Sequence, residues 1–246
     1  NPPCSHVGPC TRKNDCPCAI NRAHCTRVCR CHLQCVYSTR RWTGCKCTPG
    51  EEGHACGDKR ACPCHLASRE CDPELCLGCA SRDHTLDRCK NSQIQHKRRK
   101  KTTLRKSQFG TGVFAAERIL AGELICEYVG ELVYDETTRS RELLAIHRRS
   151  NYLFGLNPQF GIDAVHAGNE ARFVNHREHD NVAAYIKLVN GEPRIGLFAN
   201  RTIKPGAELF IDYGKDFFKD MEAKEDSELE SFVDVYEDTQ DWIPSQ

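Results

Sequence analysis

The sequence predicts a mainly β fold with few helices, preceded by an irregular module held together by metal rather than by an apolar core. Three observations lead there. Seventeen of the 18 cysteines lie between Cys4 and Cys89. Beyond residue 107, short apolar runs recur between turn residues, without the strand–long helix alternation of a parallel sheet. The length, 246 residues with 39% hydrophobic, allows one ordinary domain with a real core plus a smaller one. No run of 18 or more apolar residues exists and the first residues show no signal-peptide pattern, so the chain reads as soluble and not secreted.

The cysteines come first. Their number is odd within the array, and Cys-x-Cys pairs recur at Cys16/Cys18, Cys29/Cys31, Cys45/Cys47 and Cys62/Cys64. Such close pairs converge on one metal more readily than they form separate disulfides of regular geometry. One block comprises Cys4, His6, Cys10, Cys16, Cys18, Cys25, Cys29, Cys31 and Cys35; the next comprises Cys45, Cys47, Cys56, Cys62, Cys64, Cys71, Cys76, Cys79 and Cys89. The run C-x5-C-x-C-x6-C, starting at Cys10 and again at Cys56, repeats at an offset of 46. Matched ligand by ligand, His6 stands where the second block has Cys47. Each block thus offers nine ligands. Zinc takes four, so three zincs need about twelve contacts, which nine ligands supply when three thiolates each bridge two metals. An imidazole nitrogen cannot bridge, which makes His6 a terminal ligand. The spacing therefore predicts two trinuclear clusters, six zincs in all. The other histidines apart from His176 read as bystanders.

Charge is segregated. Residues 216–246 carry a net −9 and the rest +10, so the body suits a negatively charged partner while the tail is a separate segment. Residues 1–95 hold fourteen Lys/Arg against nine Asp/Glu. With thiolates outnumbering the zinc charge, Arg22, Arg27, Arg30, Arg40 and Arg41 serve equally well as counter-charges or as DNA contacts. Residues 97–106 hold Lys97, Arg98, Arg99, Lys100, Lys101, Arg105 and Lys106 and no acid. They read as a connector, a phosphate-contacting arm or a nuclear import signal.

Strand patterns follow at Gly112–Ala115, Leu124–Val133, Tyr152–Leu156, Phe160–Ala164, Ala183–Val189, Arg194–Ala199 and Glu208–Ile211. Asn190-Gly191 signals a hairpin turn and Lys204-Pro205-Gly206 another. One helix is predicted from about Asp135 to Arg149, where an acidic start meets a basic end. Gly110-x-Gly112 lacks the third glycine and the following helix of a dinucleotide-binding fingerprint. Asn175-His176, directly after Phe173-Val174, offers an amide and an imidazole beside an apolar wall, an arrangement that orients a small ligand or caps a loop. Cys126 reads as a small buried hydrophobe.

Four motifs then occur in order over about residues 107 to 215: Phe109-Gly110-Thr111-Gly112-Val113-Phe114, Glu127-Tyr128-Val129-Gly130-Glu131, Gly168-Asn169-Glu170-Ala171-Arg172-Phe173-Val174-Asn175-His176 and Glu208-Leu209-Phe210-Ile211-Asp212-Tyr213. Together they resemble the SET-domain protein lysine methyltransferases. The doubled cysteine array directly before them resembles the CXC (pre-SET) region of the Enhancer of zeste family, the catalytic subunits of Polycomb repressive complex 2. Other zinc-bearing relatives carry one nine-cysteine cluster and cysteines after the SET domain. Here none follows Cys126, and Val182 stands where many relatives have Cys, so no post-SET zinc is expected.

The resemblance implies a CXC module over 1–92, a basic linker over 93–106, a SET domain over 107–215 and an acidic tail over 216–246, in which Phe232, Val233, Val235 and Trp242 point to docking. The SET fold it implies is a set of small sheets around a pseudoknot. It further implies methyl transfer from S-adenosylmethionine to a lysine of the histone H3 tail, lysine 27 in this family. Gly110, Thr111, Gly112, Asn151, Asn175 and His176 would bind the cofactor. Tyr213 and Tyr128 would be catalytic, and Phe154, Ala164 and Ile211 would shape the lysine channel. Ile211 departs from the aromatic residue of animal relatives, which leaves the degree of methylation open. Implied partners are the nucleosome, DNA, and the WD40-repeat and zinc-finger subunits of the complex, in the nucleus. Two other readings stand beside it: a zinc-cluster nucleosome-binding module whose SET domain is inactive without partners, and a SET enzyme for another lysine.

Overall fold

The computed structural model describes residues 4–7, 10–20, 29, 42–48, 56, 62–85, 88–147, 151–157 and 159–214. Cys25, Cys31, Cys35, the five counter-charge arginines and the acidic tail lie outside them. The chain divides into two units, one of Asn1–Arg99 with Tyr185–Gly196 and one of Lys100–Ala184 with Leu197–Gln246.

Among the described residues, Asn1–Arg99 has little regular structure, as its scarcity of large apolar residues dictates. It holds a 3-10 turn at Arg12–Asn14 and two one-turn helices, α1 (Pro17–Ile20) and α2 (Pro63–Leu66). Pro63 opens α2, where a missing N–H costs nothing. Its interior is sulfur. Cys4, Cys10, Cys16, Cys18 and Cys29 form one buried cluster; Cys45, Cys56, Cys62, Cys64, Cys71, Cys76, Cys79 and Cys89 form another. Backbone polarity is settled by a few side chains. The buried Glu70 carboxylate accepts the N–H groups of Ile94 (2.7 Å) and Gln95 (2.9 Å). The Glu70 N–H donates to the Leu188 carbonyl at 3.0 Å, and the Leu188 N–H to Ser68 at 2.9 Å.

In the second unit, β1 (Thr102–Ser107) and β2 (Gly110–Ala115) form an antiparallel hairpin. There follow β3 (Leu124–Tyr128), β4 (Glu131–Tyr134), α3 (Asp135–His147), β5 (Leu153–Asn157), β6 (Phe160–Asp163), a 3-10 turn at Glu170–Phe173, β7 (Asn175–His176), β8 (Val182–Val189), β9 (Glu192–Ala199) and β10 (Phe210–Ile211). One sheet has the order β4-β6-β5 and another β3-β9-β8-β10-β7. Val113, Ile119, Leu124, Ile125, Val182, Leu197, Ile203 and Leu209 are almost wholly buried and form the core.

Several predicted bounds move for physical reasons. The single strand expected over Leu124–Val133 breaks into β3 and β4 at Val129-Gly130. There the backbone passes so near the Asp163 carbonyl that a Cβ on Gly130 would collide with it. Gly110 and Thr111 belong to β2 rather than to a loop, and Gly110 takes φ +98°, open to glycine. Asn190 (φ 50°) and Gly191 (φ 92°) make the two-residue β8–β9 turn with both centres in the left-handed region, as Asn-Gly favours. The basic segment contributes β1, a strand the sequence pattern did not disclose. α3 is described to His147, and residues 148–150 lie outside the described residues.

β10 decides the topology of the site. It lies between β7 and β8 and runs parallel to both, pairing Phe210 with Asn175, Ile211 with His176 and Ile211 with Val182. Buried Asn181 fastens it: its Oδ1 accepts the Phe210 N–H (2.9 Å) and its Nδ2 donates to the Glu208 carbonyl (2.8 Å). Asn181→Ala leaves both backbone groups unpaired and is expected to cost roughly 2–4 kcal/mol. Urea unfolding of the zinc-loaded protein checks it; a midpoint equal to that of the wild type contradicts the clamp.

Candidate active site and metal centre

A cavity of about 530 Å³ opens in the second unit, lined among others by Tyr128, Asn151, Phe154, Arg172, Ile211 and Tyr213. Tyr128 ends β3, with its ring 5.3 Å from Phe154 and its hydroxyl donating to the Tyr152 carbonyl at 2.6 Å. The Tyr213 ring is 38% exposed, yet its hydroxyl turns inward and donates to the Val174 carbonyl at 2.8 Å. Each phenol has thus committed its single proton to backbone, and its oxygen lone pairs remain as acceptors. Burial, with the Tyr213 phenol as neighbour, pushes Tyr128 well above the ordinary phenol value. Burial pushes Tyr213 up to about 12. Both are neutral hydrogen-bond acceptors at physiological pH, not phenolate bases.

Asn175 and His176 occupy β7. The Asn175 amide donates to the Thr111 carbonyl (3.2 Å) and to Glu208 Oε1 (3.0 Å). Gly112 lies directly against that carboxylate, and a Cβ there would collide with it. The Gly110-Thr111-Gly112 strand, Asn175 and Glu208 therefore form one latch. His176 Nδ1 accepts the Tyr213 N–H at 3.1 Å, so its neutral ring carries the proton on Nε2. The His176 and Tyr213 rings are 5.4 Å apart. Asn151 lines the cavity while its Oδ1 accepts the Leu153 N–H at 3.0 Å. Ala164 is fully buried and does not line the cavity; its carbonyl accepts from Arg172 at 2.7 Å.

Three side chains of the site escaped the sequence reading. Arg172 also donates to the Val165 carbonyl (3.0 Å) and lies 4.7 Å over Phe173 and 5.5 Å over Tyr152. Glu208 holds Asn175, and Asn169 caps the 3-10 turn while donating to the Glu127 carbonyl at 2.7 Å. All three stand inside the quoted motifs. For Asn169 the cap preference was a usable signal.

In the first unit, donor atoms gather in sets within 4.8 Å of one another: Cys45/Cys64/Cys71/Cys76, Cys45/Cys56/Cys62/Cys71 and Cys56/Cys71/Cys79/Cys89. Cys45, Cys56 and Cys71 recur between sets, the behaviour of bridging thiolates. Half-buried Cys47 belongs to none of these sets but neighbours Cys56, Cys45 and Cys62. The first block repeats the pattern: Cys4/His6/Cys10/Cys16 and Cys4/Cys18/Cys29 converge. His6 stands with Cys4, Cys10 and Cys16, as its place in the order of ligands predicts, and its Nε2 is buried with no hydrogen-bond partner. None of the fifteen described cysteines is in a disulfide. Packed thiols compete for protons. Cys62 and Cys79 are pulled far below the ordinary thiol value by bonds from Cys56, while Cys56 and Cys71 are driven far above it by Cys62 and Cys56 respectively. Cys76 is pulled down to about 7 by Cys64. A cation removes that conflict, so the donors fit zinc.

Residues 110–214 match the SET domain family. The chain is a SET-domain protein. It is 39% identical to the histone-lysine N-methyltransferase MEDEA of Arabidopsis thaliana over 85% of its own length, and 39% identical to the histone-lysine N-methyltransferase EZH2 of Chaetomium thermophilum over 87%. It spans only 31% and 16% of those proteins. Among solved structures it resembles polycomb repressive complex 2 from Chaetomium thermophilum in complex with H3K27me3 and H3K27M. That match has a TM-score of 0.71 and 37% identity, and covers 87% of this chain and 28% of that one. It also resembles the same complex in an autoinhibited conformation bound to S-adenosylmethionine, with a TM-score of 0.71 and 36% identity, covering 92% of this chain and 30% of that one. Over the span that aligns, the chain belongs with the Enhancer of zeste family, of whose matched members it covers less than a third.

The raised phenols carry a pH prediction. A phenol that keeps its proton more firmly in the fold than in the unfolded chain stabilises the fold below pH ~10, and that contribution is lost as pH rises toward 12. Alkaline unfolding of Tyr213→Phe is expected to fall less steeply over this window. An unchanged slope, followed by far-ultraviolet circular dichroism, contradicts the burial of the hydroxyl.

Proposed function

We propose that the chain methylates a lysine of the histone H3 tail, lysine 27, using S-adenosylmethionine, as the catalytic component of a Polycomb repressive complex 2 in the nucleus. One observation carries this reading: the two buried hydroxyls, Tyr128 and Tyr213, whose protons are committed to carbonyls in a cavity walled by Phe154 and Ile211.

A lysine amine of pKa ~10.4 must lose about three pKa units of proton affinity to react near pH 7.5, worth roughly 4 kcal/mol. The two carboxylates of the cavity, Asp180 and Asp212, accept from the Asn200 amide and the Gly214 N–H, and neither is assigned as a dedicated base. The apolar walls instead strip water from the ammonium and disfavour its charge. The Tyr128 and Tyr213 oxygens accept the amine N–H groups and so aim its lone pair along the cavity. S-Adenosylmethionine, when bound, supplies a methyl group on a positively charged sulfur. Thr111, Asn175 and His176 are assigned to hold it, with Gly112 keeping the Glu208 latch closed. This is an assembly of orientation and desolvation rather than of proton relay.

For the cysteine module we propose six zincs. Cys45, Cys56 and Cys71 bridge in the second cluster, and Cys4, Cys10 and Cys25, in register with them, bridge in the first. His6 and Cys47 are terminal. Exposed bases on β1, Arg105 and Lys106, are assigned to nucleosomal DNA. The complex's other subunits and the nucleosome are the assigned partners.

Methyl transfer to recombinant nucleosomes by the partner-assembled protein, read by mass spectrometry, tests the activity. Tyr213→Phe and His176→Ala are each expected to abolish transfer at H3 lysine 27 while zinc content, by elemental analysis, remains at about six per chain. Retained turnover removes the roles assigned. A metal count of one or two breaks the trinuclear reading and leaves the methyl-transfer reading standing.

A further inference from the structure

Around the second cysteine cluster lie buried groups that neither the fold nor the lysine chemistry requires. Arg69 is 8% exposed, its guanidinium carbon sits 4.9 Å from the centre of the Trp42 ring, and its Nη1 is buried with no hydrogen-bond partner. Its charged neighbours are Cys64, Asp72 and Cys76. The Trp42 indole N–H donates to Cys64 Sγ at 3.3 Å, and the Cys45 N–H to Cys76 Sγ at 3.2 Å. At Cys71, the Asn91 amide reaches the sulfur at 3.6 Å and donates to the Arg69 carbonyl at 2.8 Å. Its Oδ1 accepts from Lys187 Nζ at 3.0 Å, and Lys187 is 6% exposed. An ammonium can only donate, so it fixes the Asn91 oxygen toward itself and turns the NH2 toward the thiolate.

An interior guanidinium beside thiols is costly unless something nearby is negative. Three zincs with nine thiolates carry about −3, a charge equally costly to bury alone. We propose that Arg69 and Lys187 are the counter-cations of the second zinc–thiolate cluster. Trp42 and Asn91 are the N–H donors that hold its sulfurs, and the four together set how firmly that cluster keeps its metal. This rests on the six-zinc reading. The sequence does not repeat this arginine in the first block, where the 46-residue offset puts Ala23 in the place of Arg69.

The test follows zinc leaving the full chain into excess chelator, with a chromogenic zinc indicator. Removing a group that supports metal ligands costs roughly 10- to 100-fold in metal affinity. Arg69→Met is expected to release half of the zinc faster by about that factor, with the other half leaving at the wild-type rate, while Arg69→Lys restores retention. Release from R69M at wild-type rates overturns the proposal. So does acceleration of all the zinc together, or R69K as leaky as R69M, which marks a packing role. Where R69M does not fold, Lys187→Met carries the same expectation with Lys187→Arg as its control. A wild-type zinc count far below six overturns the trinuclear reading and this proposal with it.

Discussion

The insertion of β10 between β7 and β8 is the constraint on which the site depends. Two residues of parallel pairing put Ile211 opposite His176 and Val182, which brings Ile211 and Tyr213 to the wall of the cavity. A two-residue strand is too short to hold itself. The Asn181 side chain makes up the deficit by copying a backbone amide, pairing with one N–H and one carbonyl of the inserted segment. His176 then ties the next residue, taking the Tyr213 N–H on Nδ1. The Asn-His pair is thus a structural device on one side and a candidate ligand-binding device on the other. Neither residue lines the cavity itself; Asn175 reaches the Gly110–Gly112 strand through the Thr111 carbonyl, and His176 meets the cavity through Tyr213.

The other unit solves folding by different means. Most of its described buried hydrophobic residues are cysteines, and a cysteine contributes far less apolar area than a leucine or phenylalanine, so hydrophobic burial alone orders little of it. On the proposed zinc loading, metal binding supplies the missing free energy, since the ligand set exists only in the folded state. This explains the wide spacing of regular structure: with every few residues anchored to a shared centre, the backbone needs neither long helices nor strands. The same economy creates an excess of negative charge, and buried basic residues are its natural complement. Charge compensation, not apolar contact, decides what can pack around such a core.

How far the sequence disclosed this varies by residue. That the described cysteines converge within each block was legible, because close Cys-x-Cys spacing survives in one dimension; His6 falls among the thiols of the first block, as its place in the ligand order predicts. Which thiols bridge was not legible, since spacing counts ligands but does not measure sulfur–sulfur distances. Most strands of the second unit were legible from apolar runs and turns. β1 was not: Thr102–Ser107 is polar, exposed over most of its length and strand-like only because β2 pairs with it. In the cavity, Tyr128 by itself reads as strand core, and its place came from the family motif rather than from periodicity. The Arg172 and Glu208 roles depend on neighbours distant in sequence, such as Glu208 with Asn175, 33 residues apart, and no local pattern encodes them.

Under the proposed methyl transfer, the direction in which the two phenols donate bears on how far methylation proceeds. Each methyl added removes one N–H from the amine, so each product offers the Tyr128 and Tyr213 oxygens one donor fewer. Because both hydroxyl protons are held by the Tyr152 and Val174 carbonyls, neither phenol can turn and become a donor without giving up a short bond. The oxygens therefore favour the amine that still carries hydrogens, and the growing alkyl group must be received by the apolar walls. Ile211 and Phe154 provide no acceptor to compete for it, and a branched aliphatic at 211 presents less bulk than an aromatic ring would. The multiplicity of methylation is then governed by the space beside Ile211 against the loss of hydrogen bonds to two fixed acceptors.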